Sequence, residues 1–197
     1  MFMKPMLATE WDQPFDDERF LFEPMIDGHR LQLVMAGGKT RLLTRHGNDV
    51  TAQYPELHNV PLRKPADVVF DGEVAYVNPD TGKTDFDVLQ QRFRMKGMPR
   101  IREAKKTIPV HYFVFDILYY NGLDLREFPL YIRKRMLLSL LEDNAYYKRM
   151  GFAVGSGETM FRLSSTLGLE GVVGKARGSK YAEGVSAEWI KIKANQT

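Results

Sequence analysis

The chain has 197 residues, no cysteine and a formal net charge of +3, and 44% of its residues are hydrophobic. This composition is typical of a globular domain and excludes disulfides and thiolate metal sites, and the charge is too small to indicate a nucleic-acid partner by itself. No apolar run approaches the roughly 20 residues of a membrane-spanning helix, and no signal peptide is recognisable. We therefore expect a monomeric cytoplasmic protein without a membrane partner.

Hydrophobic periodicity predicts six strands and three helices. Residues 29–35 alternate between two faces, and Gly37-Gly38 predicts the hairpin turn to the next strand. Further strands are predicted at 40–47, 67–78, 109–122, 169–176 and 187–193. Apolar residues at helical spacing predict helices at 85–95, 129–142 and 157–168. Strands with irregularly interspersed helices indicate an α+β fold with mostly antiparallel sheets.

Charged residues stand within several of these apolar strands. Asp71 and Glu73 share one face of their strand, and Lys191 and Lys193 share one face of theirs. A single strand of the second kind is more commonly half-buried with solvated lysines. In the strand 109–122, alternation predicts two opposed faces: Phe113, Phe115 and Ile117 against Val114, Asp116 and Leu118.

A basic segment follows the first predicted helix. It is opposed only by Glu103 and contains Arg92, Arg94, Lys96, Arg100, Arg102, Lys105 and Lys106. One interpretation is a solvated loop and helix face. The other is an arm that contacts the phosphates of a nucleic acid.

Six short motifs occur along the chain in this order: EPMIDGHR, TRHGND, FDGEVAYV, YFVFDILYYNG, LEGVVGKA and EWIKIK. Over about residues 5–193 they resemble the ordered motifs of the covalent nucleotidyltransferase superfamily, which holds ATP-dependent DNA ligases, RNA ligases and mRNA capping enzymes. Three further segments are most similar to small bacterial and phage ATP-dependent DNA ligases and to the ligase domain of bacterial end-joining ligases: KPMLAT, FDVLQQR and ARGSKYAEG.

The resemblance implies a fold and a reaction. We expect the ATP-grasp-like adenylation fold of DNA ligases, with mostly antiparallel sheets, flanking helices and a central nucleotide cleft. Residues 1–197 would form one adenylyltransferase domain, and the OB-fold domain of complete ligases is expected to be absent from this chain. The family reaction is lysine adenylylation by ATP, transfer of AMP to a DNA 5′-phosphate, and nick sealing in DNA repair, replication and recombination.

The first motif departs from the family pattern at its most reactive position. The family motif is Lys-x-Asp-Gly, whose lysine attacks the α-phosphate of ATP, whereas this chain has Met25-Ile26-Asp27-Gly28. Methionine has nearly the length of the lysine stem but no amine, so it cannot be the nucleophile. The substitution, engineered or natural, predicts a domain that holds ATP without becoming adenylylated. Asp27 would orient the amine of an active enzyme, or it stabilises the turn before Gly28.

The resemblance also implies which residues hold the nucleoside. Glu23 resembles the residue whose carboxylate or backbone reads the adenine amino group, and Ile26 lies within the same nucleotide-binding motif. Glu73 resembles the acid that accepts a hydrogen bond from a ribose hydroxyl. Phe115 resembles the aromatic residue that stacks on adenine, although one of Phe113 and Phe115 is expected to be a core residue.

Phosphates, metal and DNA are assigned in the same way. Lys191 and Lys193 resemble the pair on the α-phosphate and the leaving pyrophosphate, and Arg30 resembles the arginine near the ribose and the phosphate. Mg²⁺, or Mn²⁺, would be held directly or through water by a set of acids: Asp27, Glu73 and Glu170. Nicked duplex DNA is the expected partner, with contacts from Arg45, Arg92, Arg94 and Lys96.

Three alternatives remain open at this point. A capping-type nucleotidyltransferase shares the motif skeleton but uses GTP, and an RNA ligase shares the first chemical step. A third alternative is a natural non-catalytic module that only binds ATP.

Overall fold

The computed structural model describes residues 1–194, within which eleven strands and four α-helices are found. The strands are β1 Met6–Glu10, β2 Asp17–Pro24, β3 His29–Ala36, β4 Lys39–Thr44, β5 Val68–Ala75, β6 His111–Tyr120, β7 Leu123–Asp124, β8 Tyr147–Arg149, β9 Ala153–Gly155, β10 Gly171–Ala176 and β11 Gly184–Lys193. The helices are α1 Phe86–Arg94, α2 Met98–Thr107, α3 Leu130–Leu140 and α4 Gly157–Thr166.

The strands form two sheets of mostly antiparallel pairing. The five-stranded sheet has the order β1-β11-β10-β2-β9, and the six-stranded sheet has the order β4-β3-β5-β6-β7 with β8 paired to β6. The parallel pairs are β1 with β11 and β6 with β8. The α+β fold predicted from the sequence is therefore confirmed.

Every predicted strand and helix is present, with bounds that differ by a few residues. Gly37 and Gly38 both have positive φ, 56° and 75°, as the tight hairpin between β3 and β4 requires. The prediction missed β1, β2, the short strands β7 to β9, and α2. The basic residues of α2 obscured its helical pattern, because only Ile101 and Ala104 of this helix pack into the interior.

Strand β6 departs from simple alternation. Its pairing with β5 shifts register twice, between Val69 and Phe70 and between Asp71 and Gly72. An extra residue at such a bulge reverses the faces of the residues that follow. The predicted grouping of Ile117 with Phe115 is therefore wrong, because Phe115 packs in one core cluster and Ile117 in the other.

Two hydrophobic clusters hold the sheets. The larger one lies between the six-stranded sheet and helices α1 and α3, with Leu33, Phe70, Leu89 and Leu137 among its buried members. The smaller one combines residues of both sheets, including Phe115 of β6 and Trp189 of β11 with Met3, Met6 and Val69. This second cluster forms the base of a cleft between the sheets.

The turn from β2 to β3 enters this cleft because Gly28 has no side chain. A Cβ atom at this position would lie 2.2 Å from the backbone oxygen of Val74 in β5. The close approach fixes the segment Met25 to Gly28 against the six-stranded sheet. None of the helices within residues 1–194 is long and apolar enough to cross a membrane.

Candidate active site

The cleft contains two adjoining pockets. We call the one of about 330 Å³ the small pocket and the one of about 610 Å³ the large pocket. Both are lined by residues of the two sheets, and they share Leu7, Met25, Ile26, Arg30, Arg45, Glu73 and Lys191. Eight residues of the predicted site line the small pocket: Glu23, Met25, Ile26, Arg30, Arg45, Glu73, Phe115 and Lys191. The predicted Glu170 and Lys193 line the large pocket.

Met25 lies where the two pockets meet. Its backbone N–H donates a hydrogen bond of 2.9 Å to the carbonyl of Gly171, which ties the end of β2 to the start of β10. Its half-buried side chain lines both pockets. A residue at this position therefore borders the space of both pockets.

A buried charge cluster forms one wall of the small pocket. The Nζ atom of Lys175 lies 2.6 Å from Oε2 of Glu23, and the Nζ atom of Lys134 in α3 donates to Oε1 of the same carboxylate. All three side chains are 3% exposed. Burial opposes the charge of Glu23, but the two lysines outweigh it and hold the pKa of this carboxyl below its ordinary value.

Lys175 is held between aromatic rings. Its Nζ atom lies 3.9 Å from the ring centroid of Phe115 and 4.2 Å from that of Trp189, distances at which cation–π attraction is effective. Burial lowers the pKa of Lys175 to about 8, against the opposing effect of Glu23. The sequence prediction missed Lys175 and Lys134, although a lysine in an apolar strand and a glutamate in another, Glu23, were signals of a buried ion pair.

Arg30, which lines both pockets, forms a second largely buried ion pair with Asp71. Arg30 donates from Nε to Oδ1 and from Nη2 to Oδ2 of Asp71, both at 2.7 Å. The hydroxyl of Tyr181 also donates to Oδ2, at 2.5 Å. The Cζ atom of Arg30 lies 4.7 Å from the ring centroid of Phe115. Arg30 is therefore fixed by Asp71, with its guanidinium beside the aromatic wall.

Two lysines line the opening of the cleft. The Nζ atoms of Lys191 and Lys193 both lie 3.3 Å from Oε1 of Glu10, so they share the face that the sequence predicted. These side chains are 35% and 64% exposed, and that of Glu10 is 67% exposed. A single exposed carboxylate facing two lysines leaves positive charge available to a ligand.

The three carboxylates predicted to hold a metal lie near one another, and Glu73 and Glu170 line the large pocket together with Lys191 and Lys193. Burial raises the pKa of Glu73 to about 8, with added repulsion from neighbouring acids. Burial also raises the pKa of Asp27 and of Glu170, and the nearby Asp27 adds to the effect at Glu170. Within residues 1–194 no group of three or more Asp, Glu, His or Cys residues is close enough to hold a metal ion alone.

The residues assigned to DNA separate into two kinds. Arg45, Arg94 and Lys96 are exposed, and Arg45 also lines both pockets. Arg92, in contrast, is fully buried, with Nη1 2.7 Å from Oε1 of Glu56. The assignment of Arg92 to the DNA surface is therefore wrong.

The position of Arg92 in α1 explains its burial. It follows Leu89 by three residues, which places it on the buried face of the helix. Its guanidinium also donates to the backbone oxygens of Gln53 and Ile108, at 2.9 and 2.7 Å. Arg92 thus connects three segments of the chain.

The chain is similar to known DNA ligases. Residues 5–193 match the family described as ATP dependent DNA ligase domain. The chain is 35% identical over 193 residues to the SPbeta prophage-derived DNA ligase-like protein LigB of Bacillus subtilis, a match over 98% of this chain and 67% of that protein. It is 33% identical over 195 residues to the multifunctional non-homologous end joining protein LigD of Pseudomonas aeruginosa, a match over 96% of this chain and 22% of that protein.

The chain is also similar in structure to a solved DNA ligase. The structure titled mycobacterial DNA ligase D complexed with ATP and MES matches with a TM-score of 0.76 and 29% identity, over 96% of this chain and 59% of that one. The chain thus spans about two thirds of the B. subtilis relative and less of the other two. Because the family match extends over residues 5–193, this chain belongs to the ATP-dependent DNA ligase family.

Proposed function

We propose that this chain is a DNA ligase adenylation domain that binds ATP and a divalent cation but cannot form the lysyl-AMP adduct. The position of Met25 carries the proposal, because its side chain lies at the junction of an aromatic pocket and a pair of lysines. An amine placed there could attack an α-phosphate that lies between the two pockets. A thioether cannot, so bound ATP would stay intact.

The small pocket supports recognition of adenine. The exocyclic amino group of adenine donates a hydrogen bond, and the neighbouring ring nitrogen accepts one. Glu23 and Lys175 present an acceptor and a donor 2.6 Å apart, which is the complementary pattern. Guanine offers a carbonyl and an N–H at the same two positions, so it meets the reverse pattern. Phe115 would stack on the base, sharing its ring with the cations of Lys175 and Arg30.

The opening of the cleft supports binding of the phosphates. Lys191 and Lys193 would exchange Glu10 for the stronger negative charge of a triphosphate, since phosphoryl groups are stabilised chiefly by positioned positive charge. Arg45 is exposed beside both pockets and would contact either ATP or the phosphate of a DNA end. Glu73 would accept a hydrogen bond from a ribose hydroxyl.

A divalent cation fits beside the carboxylates of the large pocket. Mg²⁺ commonly uses one or two protein carboxylates and completes its coordination with substrate phosphates and water, and Mn²⁺ accepts similar ligands. Glu73, Glu170 and Asp27 have raised pKa values, so a cation beside them would favour their ionised forms. The ion would supply neutralisation of the triphosphate charge.

The exposed basic residues support contact with nicked duplex DNA by a monomer. Arg94 and Lys96 precede α2, whose Arg100, Arg102 and Lys106 are exposed as well. If these residues touch phosphates, replacing both Arg94 and Lys96 by Gln should make the slope of log affinity against log salt shallower by about two units, without changing ATP affinity. An unchanged slope in a titration of nicked duplex would indicate a merely solvated face.

Calorimetric titration tests the ATP site. With Mg²⁺ present, we expect ATP to bind in one site, more tightly than GTP, and to be recovered intact. Incubation with ATP labelled at the α-phosphate should give no covalent label after denaturation. Covalent AMP on any side chain, or the absence of ATP binding, would contradict the proposal.

A further inference from the structure

Lys134 is a buried cation that lines neither pocket. It extends from helix α3, which packs against β6, and its side chain is 3% exposed. Its Nζ atom donates to Oε1 of Glu23 and lies 5.2 Å from the ring centroid of Phe152. Burial of an ammonium group is costly unless the group is paired, so its interaction with Glu23 accounts for its position.

Neutralisation of Glu23 does not require this lysine. Lys175 already forms an ion pair with the carboxylate at 2.6 Å, and adding Lys134 gives the cluster a net positive charge. Lys134 instead fixes the orientation of the carboxylate. It binds Oε1 while Lys175 binds Oε2, so the carboxylate is held at both oxygens.

We propose that Lys134 is a positioning residue, which holds the Glu23 carboxylate in the orientation that selects adenine over guanine in the small pocket. The inference rests on the proposed function, in which Glu23 and Lys175 read the edge of the base. The lysine itself does not touch the nucleotide. It acts from the far side of the carboxylate, through the hydrogen bond to Oε1.

The physical basis is the rotation of a carboxylate. With both oxygens anchored, Glu23 keeps an acceptor directed beside Lys175, and an incoming amino group meets it without reorganisation. Without Lys134, one oxygen is free and the carboxylate can turn toward the remaining lysine. The acceptor would then no longer stand next to the donor in the pattern that adenine matches, and the preference for adenine would fall.

Lys134→Met is the direct test. The variant leaves the Glu23–Lys175 pair balanced, with one negative and one positive charge, so it should fold. A hydrogen bond to a charged group corresponds to about tenfold or more in affinity. We therefore expect the ratio of ATP to GTP affinity, measured by calorimetry, to fall about tenfold. In Lys134→Gln, which retains a hydrogen-bond donor, this ratio should fall less.

A matched control separates positioning from simple loss of a buried cation. Arg92→Met removes another fully buried, ion-paired cation, whose partner Glu56 lines neither pocket. It should destabilise the fold but leave the ATP to GTP ratio unchanged. Thermal melts of all variants establish that each protein is folded at the temperature of the titration.

The pH dependence gives a readout that a merely structural residue would not change. Lys175 is faced by Glu23, Lys134 and Asp116, the last of which is paired with Arg133. The charge of Lys134 contributes to the lowered pKa of Lys175. In Lys134→Met, the alkaline decline in ATP affinity should therefore move to higher pH.

Two outcomes would overturn the inference, and they are distinguishable. An unchanged ATP to GTP ratio in folded Lys134→Met, with the parent protein binding ATP, would overturn the inference alone. A parent protein that binds neither nucleotide would overturn the proposed function and the inference with it.

Discussion

The small pocket and the opening of the cleft differ in how their charged side chains are paired and buried. In the small pocket, Glu23 is bound by two lysines and Arg30 is bound at two nitrogens by Asp71, all of them largely buried. At the opening, the half-buried Lys191 and the exposed Lys193 share the exposed Glu10, and three acids have pKa values raised by burial. Under the proposed function, the base would meet ion pairs that are already formed, whereas the phosphates would satisfy the charges at the opening.

Restoring an amine at the boundary of the two regions should have the largest effect. Met25→Lys should gain covalent AMP when incubated with labelled ATP and Mg²⁺, because the amine would lie between both pockets. The neighbouring positive charges of Lys191 and Lys193 would help keep it deprotonated. Met25→Gln, similar in length but without a nucleophilic amine, is the control. No label at any ATP, Mg²⁺ or Mn²⁺ concentration would mean that the residues around Met25 do not place the phosphate as proposed.

Breaking a buried ion pair at the small pocket should cost the most stability. Asp71→Asn leaves the guanidinium of Arg30 without its carboxylate, and removal of one partner of a buried pair costs about 3–5 kcal/mol. Glu10→Gln removes the exposed partner at the opening, where water and salt screen ion pairs, so it should cost much less stability. Urea unfolding of both variants measures the difference. Equal losses of unfolding free energy in the two variants would show that the ion pairs of the two regions contribute equally to stability.

Substitutions of Phe115 and Phe113 should distinguish an effect on ATP binding from an effect on stability. Phe115→Ala should weaken ATP binding by about 1–3 kcal/mol, the range for stacking of a base on an aromatic ring. It should also lower stability, because Phe115 belongs to the core cluster between the sheets. Phe113→Ala is the control, since Phe113 lines neither pocket. An effect of Phe113→Ala on ATP affinity equal to that of Phe115→Ala would contradict the assignment.

Motif order in the sequence predicted much of the cleft. Residues as far apart as Met25 and Lys191 line one pocket because strands of both sheets converge there, and the motifs lie on those strands. Alternation also placed Lys191 and Lys193 correctly, since residues 189–193 of β11 pair with β10 without a register shift and keep the period of two. It failed for Ile117, because a bulge in β6 depends on pairing with β5 and leaves no local pattern.

Ion pairs between residues far apart in the chain could not be predicted from local sequence patterns. Lys134 and Glu23 are 111 residues apart, and nothing near either residue predicts their contact. Arg92 stands in a run of basic residues, yet its carboxylate partner is 36 positions away. Both cations are on helices whose buried faces are set by tertiary packing, so charge patterning assigned Arg92 to a solvated face or a DNA contact and gave no signal for Lys134.

The pH dependence of stability sharpens the contrast between Glu73 and Glu10. Burial raises the pKa of Glu73 from 4.5 to about 8 in the folded chain, so the folded state binds this proton more tightly than the unfolded state. The stabilising contribution is complete below pH 4.5 and is lost as the pH rises to about 8.

Glu73→Gln stays neutral and should therefore gain stability relative to the parent protein as the pH rises from 5 to 8. In Glu10, hydrogen bonds from Lys191 and Lys193 lower the pKa. Its carboxyl is thus mostly ionised in both states over this range, and Glu10→Gln should differ from the parent by a nearly constant amount. Urea unfolding at pH 5, 6.5 and 8 measures both differences. A constant difference for Glu73→Gln would mean that Glu73 is solvated at the opening, and the opening would then resemble an ordinary exposed surface.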